Sequence, residues 1–208
     1  KIINIKLLKK NRIKKIIVTS NIYYKTSKIL MHIPRSKIKI IPIGIDDLSI
    51  PSKKPISKKS KCILFIGSNR SYKGINLLER LIKKGNFNII IISSNLKKFK
   101  KYKNVNVYED INDIDKEKLI SNAYLLLMTS ISRNEAFGVV LVEALRSGLP
   151  LISPNIKSGV SWINEHNETG YQYNTGNFDD MLDKINKLMR IDKKNYDKMC
   201  KNAQTRYK

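Results

Sequence analysis

The sequence predicts an α/β fold: a parallel sheet with helices on both faces. Three observations carry that prediction. Short apolar runs recur at residues 61–66, 87–92, 123–128 and 149–153, the length of strands buried on both faces rather than of helices. Polar loops and stretches with apolar residues at helical spacing separate them. Residues 123–154, AYLLLMTSISRNEAFGVVLVEALRSGLPLISP, read as strand, polar loop, helix, Gly stop and strand. Such a βαβ unit has parallel strands.

Taken in order, residues 14–20 (KKIIVTS) form a buried strand that ends at a Ser/Asn helix start. Residues 21–32 carry helical spacing at Ile22, Ile29 and Leu30 up to a stop near Pro34. Residues 37–43 (KIKIIPI) make a second strand, and Gly44-Ile45-Asp46 turns the chain away. Residues 47–60 are rich in Pro, Ser and Lys without periodicity, with Pro51 and Pro55 limiting helix, and read as a linker. The organisation expected is an N-terminal remnant over 1–46, the linker, a main domain over 61–191 and a cut-off basic helix over 192–208.

The main domain opens with strand 61–66 (KCILFI). Gly67-Ser-Asn-Arg-Ser-Tyr-Lys73-Gly74 follows, then a helix over 75–84 with Leu77, Leu78, Leu81 and Ile82 apolar. A glycine at a strand end lets loop backbone approach a ligand. A lysine at a helix start adds to the positive end of the dipole, which suits a diphosphate. Strands follow at 87–92 and 104–108, with Ser93-Ser94-Asn95 after the first, and a short helix over 115–122.

Within 123–154, Glu135 falls in the loop before the helix and Glu143 eight positions on. That separation is about 80° around a helix at roughly 100° per residue, so both lean toward one side. Beyond Pro154, Ser158-Gly159 opens a short helix and can face the same ligand, whereas Trp162 reads as packing. Residues 168–171 (ETGY) lead into a strand, and Asn177 to Asp180 cap a helix over 181–189 whose Leu182, Ile185 and Leu188 are core.

Lys, Ile and Asn are abundant together, and the formal charge is +24. Such charge admits nucleic acid, an anionic membrane surface or a phosphorylated substrate. The lysines are scattered through every segment rather than gathered with aromatics in one patch, which argues against nucleic acid. Cys62 lies in an apolar strand, Cys200 stands far from it, and His32 and His166 are far apart, so neither a disulfide framework nor metal-ligand spacing is present. No run of apolar residues is long enough to span a bilayer.

Residues 123–154 resemble the Glu-x7-Glu signature of the retaining glycosyltransferases of family 4, which have the GT-B fold. Ser130, Glu135, Phe137, Gly138, Glu143, Ala144, Gly148 and Pro150 match it, with Thr129 in place of a proline. A pair of glutamates alone marks a solvated face, but here Phe137-Gly138, Gly148 and Pro150 stand in register with the strand pattern. Residues 41–46 (IPIGID) are similar to the close of that family's N-terminal domain, with Ile43 where asparagine is usual. The spacing from Gly67 to Lys73-Gly74 fits its phosphate loop, with Ser68 where the family has an arginine.

The resemblance implies a Rossmann-like GT-B donor domain and the tail of an acceptor domain. It implies a nucleoside diphosphate sugar as donor, with Glu143 on the ribose and Glu135 on the transferred sugar. Backbone around Ala136, Phe137, Gly138 and Val139 would assist, Gly67 would allow close approach, and Lys73 would neutralise the diphosphate. Glu135 and Lys73 are thus the catalytic candidates, and Arg70 is the candidate substitute for the arginine missing at Ser68. It further implies transfer with retention, without metal or cofactor, to a glycan or lipid-linked acceptor of bacterial surface polysaccharide such as lipopolysaccharide or capsule. The enzyme would be cytoplasmic, peripheral on the inner face of the membrane, with acceptor-side groups upstream of Lys1, so that this chain alone would not turn over. Two other readings stay open: a nucleotide-sugar binding module without catalysis, for which Ser68 argues, and a basic membrane or nucleic-acid adaptor on the same fold.

Overall fold

The computed structural model describes residue 8, residues 13–46 and residues 61–208. The expected linker, residues 47–60, lies outside the described residues.

Residues 13–46 hold two parallel strands, β1 (Ile16–Val18) and β2 (Ile38–Ile40), with α1 (Asn21–Thr26) between them. The Ser20 side chain starts α1 by accepting from the Tyr23 N–H. The helix stops well short of the stretch its periodicity predicts. Ser27 is extended and its hydroxyl accepts from the Leu30 N–H, which offers the backbone an alternative to continuing the helix. Residues Leu30–His32 then make a separate 3-10 turn. β2 is likewise shorter than its apolar run, ending at Ile40 although the Ile41 N–H still reaches the Val18 carbonyl. Val18, Ile33 and Ile38 form a small core beneath these elements.

The main domain runs β3 (Cys62–Ile66), α2 (Ile75–Lys84), β4 (Asn88–Ile92), β5 (Val105–Tyr108), α3 (Asp113–Asn122), β6 (Leu125–Leu127), α4 (Val139–Arg146), β7 (Leu151–Pro154), α5 (Gly159–Ile163), β8 (Gly170–Tyr173), α6 (Phe178–Arg190) and α7 (Lys193–Tyr207). Its six strands form one sheet of order β5-β4-β3-β6-β7-β8, every neighbouring pair parallel. Burial on both faces explains the unbroken apolar runs. Ile63 and Phe65 enter one layer with Leu78 and Leu81 of α2 and Met181 and Ile185 of α6. Cys62 and Leu64 enter the other with Ile120 of α3, Leu141 of α4 and Val160 of α5. Helix α7 closes both layers, Tyr196 and Met199 in the first and Ala203 in the second. Each such fully buried aliphatic side chain contributes about 1.5–3 kcal/mol.

Capping moves two helix starts relative to the sequence reading. The Asn112 side chain accepts from the Asp115 N–H, so α3 begins at Asp113. Asn177 accepts from the N–H groups of Asp179 and Asp180, so α6 begins at Phe178. A 3-10 turn over Lys97–Lys101 buries Phe99, which the surrounding lysines conceal in the sequence.

The chain lays β3, β4 and β5 outward in one direction, then returns past β3 to lay β6, β7 and β8 in the other. The reversal falls between β3 and β6. In open parallel sheets the ligand crevice opens at such a point, beyond the carboxyl ends of the strands.

Candidate functional site

The loops that leave β3 and β6 are tied together at that reversal. Lys73 lies in a 3-10 turn, Ser71–Lys73, and not in the first turn of α2 as the sequence suggests. The turn ends at Gly74, whose φ is +62°; a Cβ there would lie 2.0 Å from the Thr129 carbonyl oxygen. Only glycine permits both that conformation and that approach. The Thr129 hydroxyl donates to the Lys73 carbonyl at 2.6 Å, and the Ile131 N–H to the Tyr72 carbonyl at 2.8 Å.

These contacts bring together the two residues expected to carry the chemistry. Lys73 Nζ lies 2.5 Å from Glu135 Oε2, the two side chains 14% and 11% exposed. The buried Ser130 hydroxyl donates to the same oxygen at 2.9 Å. Oε1 of Glu135 takes no hydrogen bond from the described residues. One carboxylate oxygen is thus fixed by the protein and the other is left to accept from a ligand.

The backbone of this loop is held from behind. Ser158, fully buried at the start of α5, donates its hydroxyl to the Glu135 carbonyl at 2.8 Å. The Gly159 N–H donates to the Ala136 carbonyl at 2.8 Å, and a Cβ at Gly159 would lie 2.7 Å from Phe137 Cα. Ser158 and Gly159, expected to face the ligand, instead brace the loop. Trp162 packs as expected, its ring 6.2 Å from that of the buried Phe137. The N–H groups of Ala136, Phe137, Gly138 and Val139 have no acceptor among the described residues, which leaves four successive donors beside Glu135 for an anion or a carbonyl.

Glu143 sits on α4, and its Oε1 accepts from Lys116 Nζ of α3 at 3.0 Å. Burial alone would lower the Lys116 ammonium, but the Glu143 and Asp113 carboxylates outweigh it and hold its pKa above the ordinary value. Glu143 Oε2 is buried without a partner among the described residues. One turn further, the buried Arg146 guanidinium donates to Glu117 Oε1 and to the Asp46 carbonyl. Burial still pushes the Glu117 carboxyl above its usual range, against the pull of Arg146. Gly44, Asp46, Lys116, Glu117, Glu143 and Arg146 line a cavity of about 250 Å³. Glu135 and Glu143 therefore engage different cations, one on the β3 loop and one on α3.

Gly67 extends the sheet, its N–H donating to the Ile92 carbonyl at 3.1 Å. Arg70 is exposed, and its side chain has no partner among the described residues. Asn95, after β4, accepts the Asn69 N–H on its Oδ1 at 2.7 Å, so this loop shapes the β3 loop. Among the described residues no group of three or more His, Cys, Asp and Glu side chains gathers where a metal ion would fit. Lys116, Arg146 and the role of Ser158 escape the sequence reading. Lys116 and Glu143 stand 27 positions apart, so only the packing of α3 on α4 reveals the pair.

The profile of the family described as Glycosyl transferases group 1 matches residues 46–206, and the chain belongs to that family. It is 30% identical over 173 residues to the D-rhamnosyltransferase WbpZ of Pseudomonas aeruginosa, covering 75% of this chain and 45% of that protein. It is 27% identical over 168 residues to the O-antigen chain mannosyltransferase C of Escherichia coli, covering 74% and 45%. The chain thus spans about half the length of these curated relatives. The crystal structure of Anabaena HepE with UDP and glucose superposes with a TM-score of 0.74 at 18% identity, over 93% of this chain and 58% of that one. The fold is that of the GT-B glycosyltransferases.

Proposed function

We propose that this chain is the donor-binding part of a retaining, family 4 glycosyltransferase that moves a sugar from a nucleoside diphosphate to a glycan or lipid-linked acceptor of a bacterial surface polysaccharide. The observation that carries the reading is the meeting of Lys73 and Glu135 at the sheet's reversal, with Ser130 fixing one carboxylate oxygen. The names of the relatives agree with it: a rhamnosyltransferase, an O-antigen mannosyltransferase, and a neighbour crystallised with UDP and glucose.

Each residue has a role that its surroundings suit. Glu135 Oε1 accepts a hydroxyl of the transferred sugar, since a carboxylate accepts from hydroxyls and cannot itself donate when ionised. The ammonium of Lys73 has three donors, of which Glu135 takes one; the others neutralise the departing diphosphate, whose charge grows in the transition state. The free N–H groups of Ala136 to Val139 add to that stabilisation. Glu143 accepts from the ribose hydroxyls, held in place by Lys116. Gly67 and Arg70 border the same crevice. The chemistry needs no metal in this reading, because Lys73 and the backbone donors supply the positive charge. The segment before β3 belongs to an acceptor-side domain, residues 47–60 link the two, and turnover requires the longer protein.

The test is the anomeric configuration of the product made by the full-length enzyme, followed by NMR with and without a chelator. Retention at an undiminished rate in chelator is expected. An inverted product, or a rate abolished by chelation and restored by a divalent ion, contradicts the reading.

A further inference from the structure

We infer that Arg133 is a positioning residue that clamps helix α1 of the N-terminal segment onto the loop carrying Glu135, making that segment a working part of the site. The consequence for ligand binding rests on the function proposed above; the clamp itself rests on geometry alone.

Arg133 stands two positions before Glu135. Its Nη1 donates to the Thr26 carbonyl and its Nη2 to the Tyr23 carbonyl at 3.3 Å, and its guanidinium lies 5.0 Å from the centre of the Tyr23 ring. Both carbonyls belong to the last turn of α1, where C=O groups lack partners within the helix and the dipole concentrates negative charge. A planar guanidinium serves two carbonyls and a ring face at once, which a lysine ammonium on its flexible stem does not reproduce.

The same helix end holds the other side of the loop. The Thr26 hydroxyl lies 3.0 Å from the Lys157 carbonyl, sharing its proton with the Ile22 carbonyl. Lys157 precedes Ser158, whose hydroxyl holds the Glu135 carbonyl. Helix α1 therefore touches both walls of the Glu135 loop, Arg133 in front and the 157–158 turn behind. These contacts join residues 107 and 131 positions apart. A loop with carbonyls and side chains tied to a separate element takes its geometry in part from that element, and loosening one end loosens the other.

Hydrogen exchange of this chain, read by mass spectrometry, tests the clamp. Arg133→Ala is expected to speed exchange by about threefold or more in residues 21–32 and in residues 129–140 together, with β3 and β4 unchanged. Arg133→Lys restores part of the protection, and Thr26→Val exposes residues 155–163. A rise confined to residues 21–32, or no rise at all, overturns the inference; should the alanine variant fail to fold, the lysine variant is read the same way. Calorimetry with UDP- and GDP-sugars adds a second readout, in which Arg133→Ala weakens binding by about tenfold. If neither wild type nor variant binds any nucleotide sugar, the donor reading fails while the exchange result still decides the clamp. If wild type binds and the variant binds equally well, the clamp does not position Glu135.

Discussion

Two hydrogen-bond donors meet on one oxygen of Glu135, and the proposed role of the residue depends on that asymmetry. Lys73 and Ser130 immobilise Oε2, so Oε1 keeps one direction in which to accept. Ser130→Ala removes a buried donor to a charged group, an interaction that contributes about 1.5–3 kcal/mol. The account expects this variant to stay folded and to bind a nucleotide sugar roughly tenfold more weakly, measured by calorimetry. Asp180 shows what a carboxylate does away from the site. The Asn174 N–H donates to it at 2.6 Å and Lys184 stands 3.1 Å away, and these hold its pKa below the ordinary value. A depressed folded pKa adds stability that is present above the unfolded pKa, near 3.9, and is lost as pH falls through the folded value. The difference in melting temperature between wild type and Asp180→Asn should therefore be largest at neutral pH and shrink below about pH 4.

Among elements, α3 and α4 are joined by a buried ion pair. Arg146 and Glu117 are 4% and 6% exposed and face each other across the two helices. Removing one partner of such a pair leaves a buried charge unpaired, a loss of about 3–5 kcal/mol. Arg146→Ala should show it as a lowered denaturant midpoint with the slope unchanged, and the cavity beside Glu143 should lose its Asp46 wall. None of this is readable locally, because the pairing joins residues 29 positions apart. The strands were legible for the opposite reason. Burial on both faces leaves runs such as CILFI and NIIII, which need no partner to be seen. Helix α1 stops short of its periodicity because a local polar group intervenes, the Ser27 hydroxyl. Glu135, Glu143 and Lys73 are singled out in sequence because they stand in register with the signature that residues 67–74 and 123–154 resemble. The bracing role of Ser158 and the contacts of Arg133 cannot be read there, since they exist only after the loops fold against one another.

At the scale of the whole molecule, charge and architecture make separate statements. The formal charge of +24 is spread along the whole sequence, and among the described residues no helix is long and apolar enough to cross a membrane. Peripheral attachment to an anionic bilayer would use that charge. Vesicles rich in anionic lipid should bind the protein at low salt and release it as screening rises, whereas no binding at low salt removes the idea. The proposed function puts a nucleotide sugar at the reversal between β3 and β6, and one measurement addresses that claim most directly. Calorimetric titration of this chain with UDP-, GDP- and ADP-sugars, beside Glu143→Ala, should give saturable binding of at least one donor that the substitution abolishes. Binding that survives Glu143→Ala undiminished, or a folded chain that binds none of the donors, would contradict the account.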